Sequence, residues 1–403
     1  MDSAQWTVPD RAQALSTVHR PLSTAPPFTD EHQQLRESIR RFVDRELRPH
    51  AAEWEEARWF PNDVFQRMAE LGLLGLKYPE EYGGQGGDYL HDAVLSEELA
   101  RSGSGGLSAG VGAHIGIATP PIWKFGTEDQ KQRWLVPAIA GQKIAALGIT
   151  EPDAGSDVAG IRTFAKRVDG GYVVNGSKTF ITNGVRADLV VTAVKTTEEG
   201  GHHGISFVVI EKGMEGFTVA RKLEKLGWWA SDTAELSFSD VFVPDENLLG
   251  EENKGFYLIM ANFQWERLLM ALGAVGAMQA MLERTIEFAL EREAFGKPIG
   301  RHQAIRHKLA EMAVKAETGR ALTYNALRLF ASGQDALQEV TMAKLKTQRD
   351  AFDVADDALQ IHGGAGYMRE YDIERAARDA RLGPIGGGSD EIMKEILSKT
   401  LGL

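Results

Sequence analysis

Apolar positions in the first third of the chain recur every three or four residues. Leu35, Ile39, Phe42, Val43 and Leu47 form one such series behind a Thr29-Asp30 cap, which predicts a helix that Pro49 stops. A second helical piece is predicted over 62–74, and YGGQGG at 82–87 reads as a loop before the helical period resumes over 88–100. TEDQ at 127–130 has the spacing of a capping box, with Gln130 placed to reach back to the cap N–H. Residues 29–145 therefore read as a helical domain behind a loose arm, 1–28.

The period then changes. From 143 to about 243 the apolar segments are short and β-branched (IAALGIT, DLVVTAV, ISFVVIE, AELSFSDVFVP), which predicts a β-domain over 146–250. Asn175-Gly176, between YVV and SKTFIT, predicts a hairpin turn. Long helical patterns return over 255–293, 302–332 and 336–362, each apolar on more than one side, as burial against both its own domain and a partner chain requires. The fold class is α+β: helical, β, and a C-terminal four-helix-bundle domain over 251–403.

Composition narrows the function. At 403 residues the chain exceeds what one core serves, and 43% hydrophobic with 25% charged residues is ordinary globular material. A net charge of −12 with no Lys/Arg cluster argues against a nucleic-acid partner. The absence of cysteine removes disulfides, thiolate metal sites and thiol nucleophiles. No stretch reaches the roughly 20 apolar residues of a membrane span. The first 27 residues lack a signal-peptide core and fit a transit peptide poorly, so a cytoplasmic location is expected.

Several motifs compete for the chemistry. GLSAG at 106–110 matches a nucleophile elbow and makes Ser108 a serine-hydrolase candidate, but the elbow needs a strand before it and a helix after it, and the pattern here supplies no strand. His302 and His307 are five apart and no H-E-x-x-H occurs, so no metal site is expected; no G-x-G-x-x-G follows a strand. TEPDAGSDVAG at 150–160 offers the Thr150 and Ser156 hydroxyls beside Gly155, either as a polar turn or as a ligand loop. Glu266, set with Arg267 in the apolar run LIMANFQWERLLMAL, fits a buried general base or a structural ion pair. In PIGGGSDEIMKE at 384–395 the glycines either cradle a phosphate or leave room for another side chain.

ITEPDAGSDVAG, GSKTFITNG, EREAFGKPIGRHQAI, QIHGGAGY and PIGGGSDEIMKEI, in this order around a β-domain between two helical ones, resemble the acyl-CoA dehydrogenase family from about Thr29 to the C-terminus. The resemblance implies α,β-dehydrogenation of an acyl thioester to the trans-2-enoyl product, with FAD taking the Cβ hydride. It also implies a homotetramer whose FAD sites are shared between subunits, and an electron-transferring flavoprotein as acceptor. Leu147, Ile149, Thr150 and Phe180 to Thr182, Ile181 included, would lie against the flavin ring, and Gly155 and Ser156 near the pyrophosphate. Arg292, Phe295, His302, Gln303 and Gln360 to Gly364, with Gly363, would meet the pyrophosphate and adenosine half from the neighbouring subunit, joined by Ser389 and Glu391. Ser156, Gln264, Arg267 and Gly388 would touch the acyl-CoA.

Many relatives carry the catalytic glutamate in the glycine loop, at the place of Gly387. This chain has none there, and resembles the isovaleryl-CoA and long-chain members, whose base stands at the position of Glu266. On that reading Gly387 leaves the space into which Glu266 reaches and offers its backbone N–H to the thioester carbonyl. Asp390 and Glu391 open the last helix and read as caps. The pocket wall is expected from 96–125. Trp228-Trp229 stands where relatives often show a smaller or basic second residue. Two alternatives carry over: the same fold acting on a carrier-protein thioester, or as an enoyl-thioester reductase.

Overall fold

The computed structural model describes residues 26–198 and 201–403, so nearly all of the predicted arm lies outside the described residues. Helix α1 (Asp30–Phe42) starts at Thr29, whose extended backbone sets its N–H 3.2 Å and its hydroxyl 2.8 Å from His32 Nδ1. It docks on α2 (Tyr89–Leu99) through Ile39 and through Arg36, which meets Glu97 at 2.7 Å and Glu98 at 3.0 Å. The expected stop at Pro49 is corrected: proline sits in a short turn, Arg48–His50, where its missing N–H costs nothing, and the chain resumes as a helix over Ala51–Ala57. The Thr127–Gln130 capping box forms as predicted.

Eight strands follow: β1 (Ala145–Gly148), β2 (Phe164–Val168), β3 (Gly171–Thr182), β4 (Leu189–Lys195), β5 (Ile205–Glu211), β6 (Phe217–Lys222), β7 (Thr233–Pro244) and β8 (Leu248–Leu249). The sheet order is β6-β7-β3-β2-β4-β5-β8, with β1 parallel to β4. The predicted turn at Asn175-Gly176 is also corrected. β3 runs straight through it, and the β2–β3 hairpin turns instead at Asp169-Gly170. Gly176 has φ +145° at a bulge against β7, and a Cβ there would lie 2.6 Å from Thr163 Oγ1. Across the bulge the Asn175 amide donates to Asp240 at 3.0 Å and accepts the Asp240 N–H at 2.9 Å. A bulge and a turn both select Asn-Gly because both need unusual φ.

The third part is built on α4 (Gly255–Glu291), α5 (Gln303–Ala331), α6 (Leu337–His362) and a shorter α7 (Asp390–Thr400). α4 is buried on nearly every side, because Trp265 and Leu268 share one core with Leu95 of α2, Tyr324 of α5 and Val340 of α6. One continuous core thus joins the two helical regions and fixes the middle of α4. Among the described residues no helix is long and apolar enough to cross a membrane.

Candidate active site

Glu266 lies in the middle of α4 and is buried. Its hydrogen-bond partner is Asn262, one turn earlier, whose Nδ2 donates to Oε1 at 2.6 Å and to the Ile117 carbonyl at 3.0 Å. The neighbouring Arg267 points away, since successive helical residues diverge by about 100°. Burial pushes the Glu266 carboxyl up to about 8, against the smaller opposing pulls of the Asn262 bond and the Arg267 charge. The arrangement suits a carboxylate that takes a proton near neutral pH. It does not suit a structural ion pair.

Residues of the predicted pocket wall stand against this stretch. Ser96 Oγ donates to the Leu269 carbonyl at 3.2 Å, and a Cβ on Gly116 would lie 2.4 Å from Leu269 Cδ1. Phe263 and Gln264 are half-buried on the same helix. Arg267 is buried with its Nε unpaired, beside Gly388. An unpaired buried donor there fits a polar ligand atom.

The glycine loop faces this part of α4. Gly387 and Gly388 have φ +62° and +92°, a left-handed path open to glycine at little cost. The loop is closed by the Asp390 N–H to the Pro384 carbonyl at 3.0 Å, and is held by Lys344 of α6, whose Nζ donates to the Gly383 carbonyl at 3.0 Å and to the Gly388 carbonyl. Burial lowers the Lys344 ammonium to about 8. The room at Gly387 is not taken by Glu266. A Cβ there would come within 2.3 Å of Met270 Sδ, one turn after Glu266, so the expected reason for that glycine is corrected: it accommodates Met270 and the positive φ. Ser389 Oγ caps α7 by accepting the Ile392 N–H at 3.4 Å. Asp390 is buried against Arg349, while Glu391 is exposed and held below the usual carboxylate range by its own backbone N–H and by Ser389. Both carboxylates stand in the first turn of α7, where the helix dipole favours negative charge, and the cap itself is Ser389.

A second group gathers at the end of β1. The Thr150 carbonyl accepts the Thr179 N–H at 2.8 Å, and buried Lys178 donates to the Ile149 carbonyl at 3.0 Å and to Glu151 at 2.7 Å. Leu147, Ile149 and Thr150 are thereby laid beside Phe180, Ile181 and Thr182. Phe180 is 68% exposed with φ +60°, an aromatic ring held out to solvent on a strained backbone. Gly155 and Ser156 are exposed on the loop beyond, with open space where a Gly155 Cβ would stand.

The third group lies at the far end of α4. Arg292 is 26 residues beyond Glu266, roughly 39 Å at the helical rise. Its carbonyl accepts the Ile299 N–H at 2.7 Å, which folds back a small hairpin presenting Phe295, 96% exposed with φ +54°. His302 is edge-on to Phe295, with centroids 5.8 Å apart, and Gln303 is exposed at the start of α5. The end of α6 joins this group through His362 stacked on Phe288, which brings Gln360, Gly363 and Gly364 to the same surface. Neither of these glycines has a neighbour within 4 Å of a would-be Cβ.

The sequence-predicted residues therefore fall into three groups, not one. Ser108 joins none: it lies inside α3 (Gly105–Gly112), its hydroxyl donating to the Leu99 carbonyl at 3.0 Å and the Ser104 carbonyl at 3.3 Å, with no strand before it. The nucleophile-elbow reading thus falls. Trp228 has φ +56° and donates its N–H to Asp379 at 2.6 Å, and Trp229 lies under Arg378 and Arg58. Sequence reasoning missed Asn262, Met270 and Lys344. Asn262 and Met270 are each one turn from Glu266 on α4, and that spacing could have flagged them.

Comparison with known proteins matches three family models in chain order: "Acyl-CoA dehydrogenase, N-terminal domain" over residues 29–142, "middle domain" over 146–241 and "C-terminal domain" over 253–402. The chain is 43% identical over 376 residues to a long-chain specific acyl-CoA dehydrogenase of Mus musculus, covering 93% of this chain and 87% of that one. It is 41% identical over 383 residues to an isovaleryl-CoA dehydrogenase of Solanum tuberosum, covering 94% and 92%. The crystal structure of an acyl-CoA dehydrogenase from Geobacillus kaustophilus superposes with TM-score 0.92 at 43% identity, covering 94% and 100%. The prolyl acyl carrier protein oxidase AnaB superposes with TM-score 0.90 at 32% identity, covering 93% and 100%.

Proposed function

Because the chain belongs to the acyl-CoA dehydrogenase family, whose members are oxidoreductases acting on CH–CH groups, we propose that it oxidises the α,β bond of an acyl-CoA thioester to the trans-2-enoyl-CoA, with Glu266 as the base. The observation that carries this reading is the buried Glu266 carboxyl, raised to about 8 and bonded to Asn262 instead of a cation. Glu266 accepts the Cα proton. The Asn262 amide, anchored on the Ile117 carbonyl, holds that oxygen in place. The Gly387 N–H, on a loop pinned by Lys344, donates to the thioester carbonyl as enolate character develops. Arg267 and Gln264 line the approach of the thioester.

The chain fits FAD. Exposed Phe180 offers an aromatic edge beside Thr150, the bare glycines 155, 363 and 364 leave space for phosphate oxygens, and Arg292 has no ion pair among the described residues. FAD, when bound, supplies the acceptor for the Cβ hydride. Arg292 and its neighbours stand too far from Glu266 to serve the cofactor of their own chain, which supports sites shared in a homotetramer. An electron-transferring flavoprotein is the proposed acceptor. A cytoplasmic location belongs to the same proposal.

A second reading replaces CoA with a carrier protein, favoured by the likeness to AnaB. Anaerobic mixing of the yellow protein with a panel of saturated acyl-CoAs tests the choice. Flavin bleaching with one of them is expected. Bleaching by acyl-carrier-protein alone would establish the second reading, and oxidation of reduced flavin by enoyl thioesters without bleaching by any saturated one would favour the reductase direction.

A further inference from the structure

α1 and α2 run side by side from the same end, with the Arg36 bridges to Glu97 and Glu98 fixing their register. Each opens with the same device, a cap residue followed three positions later by a histidine: Thr29 with His32, and Asp88 with His91. The two imidazoles meet, their centroids 4.5 Å apart. His32, Asp88 and His91 each offer a ligand atom, and the three atoms lie within 4.8 Å of one another. No short-range histidine spacing announces this group, because its halves stand 59 positions apart in the sequence.

The hydrogen bonds around the rings favour an ion over a purely structural cluster. His32 is 5% exposed, its Nδ1 sits 2.8 Å from Thr29 Oγ1, and its Nε2 is buried with no partner. With its ring proton on Nδ1 and donated to Thr29 Oγ1, His32 leaves the Nε2 lone pair buried and unpartnered, which is costly unless something takes it. His91 Nδ1 lies 2.8 Å from Asp88 Oδ1, and its other nitrogen, Nε2, lies 3.7 Å from Glu31 Oε1. A ligating imidazole is ordinarily held by a hydrogen bond on its second nitrogen; the Thr29 hydroxyl takes that place for His32, and for His91 the Glu31 carboxylate stands within ion-pair range. The carboxylates of Asp88 and Glu31 also offset the positive ends of two helix dipoles.

We propose that His32, Asp88 and His91 form a binding site for a first-row divalent cation of the zinc class, which fastens the start of α1 to the start of α2. Two imidazoles and a carboxylate are the donor set such a borderline ion takes, with water completing the tetrahedron. Bond lengths near 2.0–2.2 Å put the ligand atoms of a tetrahedral site roughly 3.4 Å apart. The Asp88 Oδ1–His91 Nδ1 pair opens by roughly 0.6 Å from its 2.8 Å contact and the His32 atom closes by up to about 1.4 Å, within reach of exposed Asp88 and half-buried His91. The ion takes the position of the proton that Asp88 and His91 Nδ1 share, and that proton is released to solvent.

The test uses the full-length, flavin-loaded, tag-free protein, stripped with chelator and then equilibrated with a small excess of zinc chloride. Metal content is measured after gel filtration. One zinc per chain and a raised melting midpoint are expected for the wild type, with both lost in His91→Gln and in Asp88→Asn. His32→Gln serves as a third variant, and unchanged flavin absorbance shows that each variant has folded. The exposed pair His202 and His203, with centroids 4.0 Å apart, is the decoy. Zinc retained in His91→Gln, zinc lost in His202→Gln instead, or a wild type that keeps none would each overturn the proposal.

Discussion

Asn262 Nδ2 donates to Glu266 Oε1 at 2.6 Å across one turn of α4. That bond favours the ionised carboxylate and opposes the burial that raises it to about 8. Hydrogen bonds to charged groups are worth about 1.5–3 kcal/mol, and 1.36 kcal/mol is one pH unit. Asn262→Ala should therefore move the midpoint of the pH–rate profile for flavin reduction up by about one unit. The rate at pH 7 should fall about tenfold and recover above pH 9. An unchanged midpoint would mean that Asn262 does not set the base.

The same burial has a cost in stability. The folded Glu266 value lies above the unfolded one, so the folded state holds a proton that the unfolded state has lost between pH 4.5 and about 8. The wild type is penalised progressively across that window, and fully above it. Glu266→Gln carries no such penalty. Its melting midpoint should match the wild type near pH 5 and exceed it by a growing margin up to pH 8.5, as checked by calorimetry at four or so pH values. Parallel curves would place Glu266 in water.

Lys344 fixes the glycine loop from below. Lys344→Met leaves the Gly383 and Gly388 carbonyls without their donor, at about 1–3 kcal/mol for the buried Gly383 orphan and less for half-buried Gly388. The melting midpoint should drop, and flavin reduction should slow by at least about tenfold with flavin still bound, because the Gly387 N–H loses its support. Stopped-flow reduction and absorbance of the purified variant check both. Slowed reduction with an unchanged melting midpoint would contradict the role of Lys344 in holding the loop.

Arg292 tests the sharing of cofactor sites. Arg292→Ala should release FAD and loosen the oligomer together, read by absorbance and sedimentation on one sample. Loss of flavin from a chain that is a monomer in its native state would refute sharing.

What the sequence revealed was local. The Thr29 and Thr127 caps, the helical periods and the change to β-branched runs all follow from neighbours a few residues apart, and these formed as read. Asn175-Gly176 misled because its signal reports an unusual φ, which a bulge needs as much as a turn does. Glu266 was legible as a carboxylate in an apolar run. Its surroundings were not: Lys344 reaches the loop from another helix, and Met270 fills the room at Gly387 only once α4 packs against that loop. Of the His32–Asp88–His91 group the sequence shows two unremarkable helix starts.

In the proposed reaction Glu266 removes the Cα proton. The direct measurement is anaerobic stopped-flow reduction of flavin-loaded Glu266→Gln by the acyl thioester that bleaches the wild type fastest. Glutamine keeps the size of the side chain and its bond to Asn262 but cannot accept the proton. FAD content and substrate affinity should stay near wild type while the reduction rate falls by roughly 10²–10⁴ or more, the range for a lost general base. Bleaching at the wild-type rate would show that Glu266 is a buried structural carboxylate and not the base.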